Sequence, residues 1–348
     1  MVTVSGQRRT VLLTGASGVV GRAIASELRD HRVIGLAHSD PTAGSAEEVV
    51  LGDISRPRFG LDAESWSALA KTVDVIVHSA ALTEWGQPDE RYRRINIDGT
   101  AHVAELAQAV DAPVHYVGTC FVRAIELGRV SELSDGNVVR PYIASKLRAE
   151  QVLADSGVRY SVYRPTNLVG DSRTGASFRP QIVQMMSQWI CRGKAPFFPL
   201  HAGNPIDLLA LDTTAMAIAR AVEADDLGRI YWLTSGQDAL KVDDALNVVL
   251  AHASSRGKPI SAPPVLDPGA IDAAAWSRVS ATSKAFIKVL IDVSEVTRAC
   301  GGVLPSSLPE LTSRYGLPAV SVAEAYRKSL EFWAGERASS RRTTEEFV

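Results

Sequence analysis

The sequence predicts an α/β chain: a doubly wound parallel sheet joined to a smaller, mostly helical C-terminal part. Three observations predict it. Short aliphatic runs alternate with helix-period segments up to about residue 170, the rhythm of successive βαβ units. The first run passes through a glycine-rich turn directly into a helical pattern. Beyond residue 170 the alternation breaks, and a stretch rich in Met, Trp, Phe and Pro gives way to helix and loop. The expected division is 8–170 with about 205–236 for the sheet domain, and 171–204 with 237–335 for the second part. Residues 336–348 are expected to form a flexible polar tail, frayed from Ala338.

The elements follow in order. Val11, Leu12 and Leu13 form a strand ending at Thr14, and a turn with Gly15, Gly18 and Gly21 follows. Val20, Ile24 and Leu28 then recur four apart, as on one face of a helix. A pyrophosphate bound at such a helix N-terminus needs free backbone N–H groups and no side chains holding it away. Glycine permits both the turn and the close approach. The contacts expected for a dinucleotide are therefore Gly15, Ser17, Gly18, Val19, Val20 and Gly21. The spacing is G-x-x-G-x-x-G rather than G-x-G-x-x-G.

Arg32 to His38 reads as the second strand, ending where an adenosine ribose would lie. An acidic residue there would favour NAD, but the chain offers Ala37, His38 and Ser39. NADP is therefore the expected cofactor, with NAD still open. His38 and Ser39 are either its contacts or plain loop residues, and Arg22 is a second possible phosphate partner. Glu48 to Leu51 is a third strand, followed by Asp53 and Ile54; Asp53 either meets the adenine amino group or caps a turn. A helical segment over Ser65 to Lys71 leads into Val73 to His78, a buried parallel strand. It runs into Ser79, Ala80 and Ala81, small enough to let a cofactor lie close, while His78 is expected to pack at the strand end.

Ile95 to Val110 reads as a helix, with Asn96 near its start either a cap or a buried polar residue with a task. Val114 to Thr119 is the fifth strand, and its C-terminal end is where an open α/β sheet places its chemistry. Pro141 suits the first turn of a helix, which puts Tyr142 and Lys146 one turn apart on one face. Tyr160 to Arg164 is the sixth strand, leading to Pro165, Thr166, Asn167 and Leu168, which with Ile54 and Lys146 are also expected cofactor contacts. A short strand and helix over 206–224, a strand at Ile230 to Thr234, and a capping box at Ser321 to Glu324 opening a last helix complete the reading.

Composition bounds the function. Apolar residues make up 46% of the 348, charged residues 22%, and the formal net charge is −2. No basic field invites nucleic acid. Cys120, Cys191 and Cys300 lie far apart without metal-ligand spacing, so no metal is expected and reduced thiols fit better than disulfides. No leader-like apolar run opens the chain and none is long enough to span a bilayer, so a soluble cytoplasmic protein is expected.

Tyr142 and Lys146 in Y-x-x-x-K, with Thr119 at a strand end, make a resemblance specific. With TGASGVVG, HSAAL (78–82), NIDGT (96–100) and YRPTNLVG (163–170), they resemble the extended short-chain dehydrogenase/reductase superfamily over roughly residues 10–236. GDISRPRFGL and VDVIVHSAALTEW are most similar to its thioester-reductase and acyl-reductase branch. The resemblance implies a Rossmann sheet and a carbonyl reductase with Thr119, Tyr142, Lys146 and Asn96 as catalytic residues. Asn96 would support a water relay behind Lys146. Hydride transfer to a carbonyl needs a proton donor at the developing alkoxide. A phenol of pKa ~10 suits that task at neutral pH when a cation such as Lys146 lowers it. Thr119 can hold the carbonyl oxygen in place.

The departures narrow the reading. Cys120 and Phe121 stand where nucleotide-sugar dehydratases carry an Asp-Glu pair, and Val122-Arg123-Ala124 replaces the V-Y-G usual in epimerases. Cys120 is expected to be a packed thiol rather than a nucleophile. A small or carrier-bound acyl or carbonyl compound is the expected substrate, bound by residues 171–205 and the C-terminal part, whose aromatic and Met residues form either an apolar pocket or the core of that part. Arg91, Arg93 and Arg94 are either a solvated loop or a contact for phosphopantetheine or a carrier. Two alternatives remain: a nucleotide-sugar epimerase with tightly held NAD, and a redox-inactive NADP(H) sensor. A homodimer is compatible with the resemblance.

Overall fold

The strand-forming runs all find parallel partners. The computed structural model describes residues 8–41 and 45–345, with side chains up to 336. In chain order the first half comprises β1 (Thr10–Thr14), α1 (Val19–Glu27), β2 (Arg32–Ala37), β3 (Glu48–Leu51), α2 (Ala63–Ala70) and β4 (Val75–His78). It continues with α3 (Asp89–Tyr92), a π-helical turn (Arg93–Asp98), α4 (Gly99–Val110), β5 (Val114–Val117), α5 (Arg123–Glu126), α6 (Arg140–Ser156) and β6 (Tyr160–Pro165). The second half holds β7 (Asn167–Val169), α7 (Ile182–Cys191), β8 (Phe198–Pro199), β9 (Leu208–Ala210), α8 (Leu211–Glu223) and β10 (Ile230–Leu233). Last come α9 (Val242–Ser255), β11 (Val265–Leu266), α10 (Ala273–Ser277), α11 (Ala281–Ala299), α12 (Leu308–Tyr315) and α13 (Val322–Glu345).

Seven strands form one sheet in the order β10-β6-β5-β4-β1-β2-β3, every pair parallel. The order reverses between β1 and β4, which makes the crevice above their C-terminal ends the topological switch point. One face of the sheet is covered by α1, α8 and α12 through Ile24, Ala25, Ala215, Ile218 and Leu311. The other is covered by α2, α4 and α6 through Leu69, Val103, Leu106, Ala149 and Leu153. Both faces being buried explains why the central strands are apolar without alternation. A separate core of Met186, Trp189, Phe197, Phe198, Val249, Ile287 and Tyr326 holds α7, α9, α11 and α13 together.

Some details differ from the sequence reading. The helix expected over 95–110 begins as a π-helical turn, and the stretch after Pro165 leaves the main sheet to pair β7 with β9. The final helix, Val322–Glu345, runs into the stretch expected to form the tail. Phe197 and Trp189 are core residues, whereas Met186 and Phe198 also line a cavity.

An ion triad that the sequence does not advertise fastens α6 to the sheet. The Arg164 guanidinium, 3% exposed, donates to both Glu150 oxygens at 3.1 and 2.6 Å and to Glu126 at 2.7 Å, and lies over the Trp232 ring. Removing one partner of a buried pair leaves an uncompensated charge. Arg164→Ala should therefore lower the unfolding free energy by about 3–5 kcal/mol in urea denaturation. A loss below about 1 kcal/mol, the size of an exposed pair, would show that the triad does not fasten α6.

Candidate active site

The glycine turn is built for close packing. Gly15 has a φ of +69°, and a Cβ there would come within 2.7 Å of the Ala80 nitrogen. A Cβ on Gly21 would lie 2.1 Å from the Gly15 carbonyl oxygen. These two glycines press the turn onto β4 and α1 onto the turn. Gly18 is the N-cap of α1 and offers no side chain, so the first N–H groups of the helix, including those of Val19 and Val20, have no intrahelical acceptor. Gly15, Ser17, Gly18 and Val20 are partly exposed, while Val19 and Gly21 are buried beneath them. A bare helix N-terminus floored by Ser79, Ala80 and Ala81, themselves partly exposed, fits the pyrophosphate of a dinucleotide.

At the adenosine end, His38 and Ser39 are exposed and Asp53 is partly buried, its carboxylate 4.0 Å from the His38 ring. Asp53 accepts from the Ser55 N–H, as a turn-capping residue does. Ile54 is buried against Gly99. Arg22 pairs with Asp40 at 2.8 Å and lies over the Phe178 ring, so its charge is already partnered. Pro165 and Asn167 are partly exposed, Leu168 is buried, and the Thr166 hydroxyl is bound to the Asp207 carbonyl.

Thr119, Tyr142 and Lys146 come together at the C-terminal end of β5. Thr119 caps a short 3-10 turn, accepting from the Phe121 N–H, and its hydroxyl hydrogen-bonds the Tyr142 hydroxyl. Burial raises the Tyr142 phenol above its ordinary value, and the Thr119 bond works against that rise. Lys146 is 2% exposed, and its ammonium donates to the Val117 carbonyl at 2.7 Å and sits 4.4 Å above the Tyr116 ring. Burial brings its pKa down to about 7, against a raising influence from Glu150 one turn along. The expected depression of Tyr142 by Lys146 is therefore corrected: burial strips the lysine of much of its charge, and it does not figure among the groups acting on the phenol.

Asn96 is buried in the π-helical turn, the kind of irregularity that often marks functional sites. Its amide carbonyl accepts from the Leu82 N–H at 2.7 Å, and its amide nitrogen donates to the Leu82 carbonyl and to Ser145 Oγ at 2.9 Å. The Ser145 hydroxyl in turn donates to the Tyr142 backbone carbonyl. A continuous line of hydrogen bonds runs from the glycine turn to this point. The Thr100 hydroxyl donates to the Asn96 backbone carbonyl, so it accepts from His78 Nε2–H. His78 Nδ1 is then an acceptor for the Thr14 hydroxyl, which in turn accepts from the Ala80 N–H. Burial, with Lys146 adding to it, lowers the His78 pKa to about 3, which keeps the ring neutral as this arrangement demands. His78 is thus a packed strand-end residue with a defined tautomer.

The C-terminal part reaches the site at two places. Asp292 and Glu295 of α11 hold the segment that opens α6: Asp292 accepts from the Val138 N–H, and Glu295 from Asn137 and from the Ser134 N–H and hydroxyl. Beside Phe121, two residues beyond Thr119, lies a cavity of about 70 Å³, walled also by Thr166, Asn167, Met186, Phe198 and Leu290, among others. Cys120 and Cys300 are buried next to it, and burial pushes the Cys120 thiol up, away from nucleophilic character. Of the three arginines singled out, Arg93 pairs with Glu90 and Asp98 and Arg91 with Gln87, as on a solvated face. The acidic clamp on α11, Tyr116 beneath Lys146 and the Arg164 triad lie beyond the sequence reading; the Arg in YRPTNLVG is the one local signal for the last.

Comparison with known proteins bears on the family and the fold. The model of the family described as male sterility protein matches residues 29–218. A 182-residue stretch is 32% identical to a linear gramicidin synthase polypeptide of Brevibacillus parabrevis, covering 49% of this chain and 4% of that protein. The large chain of the L-2-aminoadipate reductase of Candida glabrata is 24% identical over 262 residues, 61% of this chain and 19% of that protein. The chain thus spans a small fraction of the curated relatives it matches. Among solved structures, the terminal R domain of the myxalamid PKS-NRPS pathway superposes with a TM-score of 0.71 at 24% identity, covering 94% of this chain and 91% of that one. The reductase domain of a Mycobacterium tuberculosis non-ribosomal peptide synthetase gives 0.65 at 23% identity, covering 95% and 93%. Among the described residues no three metal-ligating side chains cluster, and no helix is long and apolar enough to cross a membrane. With its family model matched over 29–218, more than half of the chain and including the Y-x-x-x-K helix, the chain belongs to the male sterility protein family, NAD(P)-dependent reductases of the extended short-chain dehydrogenase/reductase type.

Proposed function

We propose that this chain is an NADP(H)-preferring reductase of an acyl thioester, releasing an aldehyde and a thiol. The observation that carries the reading is the meeting of Thr119, Tyr142 and Lys146 at the C-terminal end of β5, in a fold that also presents a bare helix N-terminus after β1 and an apolar cavity walled by Phe121. The nicotinamide cofactor, when bound, supplies the hydride for the carbonyl carbon. Tyr142, kept protonated by burial, donates its proton to the carbonyl oxygen, and Thr119 orients that oxygen. Lys146 holds a ribose hydroxyl and returns a proton to the phenol, and Asn96, through Ser145, braces the helix turn that carries Tyr142. Collapse of the resulting hemithioacetal expels the thiol, so one hydride and one proton convert the thioester to aldehyde plus thiol. The relatives that include gramicidin synthase and aminoadipate reductase support an activated acyl substrate, presented on a carrier, with an acyl chain lying along Phe121 and Met186.

NADP is favoured because Ala37 closes β2 where an acid would repel the 2′-phosphate, and exposed His38 and Ser39 can meet it. NADPH should bind about tenfold more tightly than NADH, a difference of about 1.4 kcal/mol, in fluorescence titration. Equal affinities, or tighter NADH, would remove the preference.

Tyr142→Phe should lower kcat with an acyl-thioester substrate by on the order of 100- to 10,000-fold while NADPH affinity stays nearly unchanged. Retained turnover would exclude Tyr142 as the acid. Turnover of a nucleotide sugar without net NADPH consumption would point instead to an epimerase.

Lys146 titrates near 7 in the fold and at 10.5 ordinarily. In that window the unfolded chain binds the extra proton, so the fold gains stability as pH rises from 7 toward 10.5 and loses it as pH falls. Urea unfolding at about pH 7 and about pH 9.5 should show the native protein gaining on the order of 1–3 kcal/mol relative to Lys146→Met. Identical pH responses in the two proteins would mean that the lysine is not depressed.

A further inference from the structure

The C-terminal part contains a larger cavity, of about 310 Å³, that shares no lining residue with the one beside Phe121. It lies among α7, α9 and α13. Helix α7 is the partition between the two: Ile182, Val183 and Met186 face the smaller cavity, whereas Gln184, Ser187, Gln188 and Cys191, at offsets 0, 3, 4 and 7, face the larger.

Its lining combines an apolar floor with unspent polar groups. Leu330, Ala253 and Pro180 supply aliphatic surface. Arg192, Arg256 and Lys258 stand exposed at its edge and enter no ion pair among the described residues. The acid that acts on this region, Glu331, is already bound by Arg327. Two residues of the lining each carry a buried nitrogen with no hydrogen-bond partner: Trp333 at Nε1 and His252, a residue 9% exposed, at Nδ1. An indole N–H can only donate. Buried polar atoms in native structures are almost always partnered, so the Trp333 indole calls for an acceptor. Three unpaired cations around an unpaired donor specify that acceptor as an anionic oxygen.

We propose that the cavity among α7, α9 and α13 is a second ligand site, separate from the reductase cleft, for a small amphiphile carrying an oxyanion head. The head group, a carboxylate or a phosphate, accepts from Trp333 Nε1–H and His252 and is neutralised by Arg192, Arg256 and Lys258. The aliphatic body lies along Leu330 and Ala253. Because α7 also walls the cavity beside Phe121, the ligand sits one helix away from that cavity.

Isothermal titration of the full chain with hexanoate, hexyl phosphate and hexan-1-ol tests this. The anions should bind at least tenfold more tightly than the alcohol, and whichever anion binds more tightly identifies the head group. Arg192→Ala/Arg256→Ala should abolish that advantage while leaving the weak binding of hexan-1-ol unchanged. Trp333→Phe, which keeps the ring and removes the N–H, should weaken anion binding several-fold and serves where the double variant does not fold. Equal binding of anion and alcohol, or undiminished anion binding in both variants, would overturn the proposal.

Discussion

The structure depends on a line of buried hydrogen bonds that crosses the switch point of the sheet. It begins at the Ala80 N–H, passes through Thr14, the neutral ring of His78 and Thr100, and ends on the Asn96 backbone carbonyl. Every donor in it has one acceptor, and the direction of each bond fixes the next. Such a chain is costly to leave half-made in a low dielectric, so β1, β4 and α4 are held in one relative position. From the same asparagine the side chain crosses to Ser145, whose hydroxyl donates to the Tyr142 carbonyl. The glycine turn and the Tyr142–Lys146 helix are therefore parts of one polar framework.

Burial sets the electrostatics of that framework. It raises the Tyr142 phenol, lowers Lys146 to about 7 and leaves His78 uncharged. A phenol that stays protonated is suited to giving a proton, and a lysine near neutrality is suited to passing one on. The Arg164 triad carries the charge that the lysine gives up: Glu150, one turn beyond Lys146, is neutralised by Arg164 instead. The acidic clamp of Asp292 and Glu295 does for the start of α6 what Arg164 does for its middle.

Much of the sheet was legible because it rests on local signals. Val11–Thr14, Arg32–Ala37 and Val114–Val117 are apolar runs ending in small or polar residues, and each is a strand with nearly the anticipated limits. Tyr142 and Lys146 followed from a spacing that any helix turns into a shared face. What escaped was long-range. Nothing near Glu295 in the sequence announces that it will hold Ser134 and Asn137, and nothing near Lys146 says that Tyr116 will lie beneath its ammonium. The π-helical turn at Arg93–Asp98 was invisible because no residue type in it marks the wider turn; Asn96 lies within it and accepts from the Leu82 N–H. The reach of Lys146 to Val117, rather than toward Tyr142, is likewise a matter of packing that helical spacing does not encode.

The grip of α11 on the segment ahead of Tyr142 also bears on how this enzyme can be dissected. The sheet with its flanking helices has the outline of a self-sufficient unit, and cutting the polypeptide after β10 would keep every strand of it. Such an excised fragment would lack Asp292 and Glu295, leaving the Val138 N–H and the side chains of Asn137 and Ser134 to water. A minimal unit that keeps the Tyr142 helix anchored therefore extends at least through Ala299, and the stretch of polypeptide after Leu233, which contributes no strand to the main sheet, supports the start of that helix as directly as the sheet does.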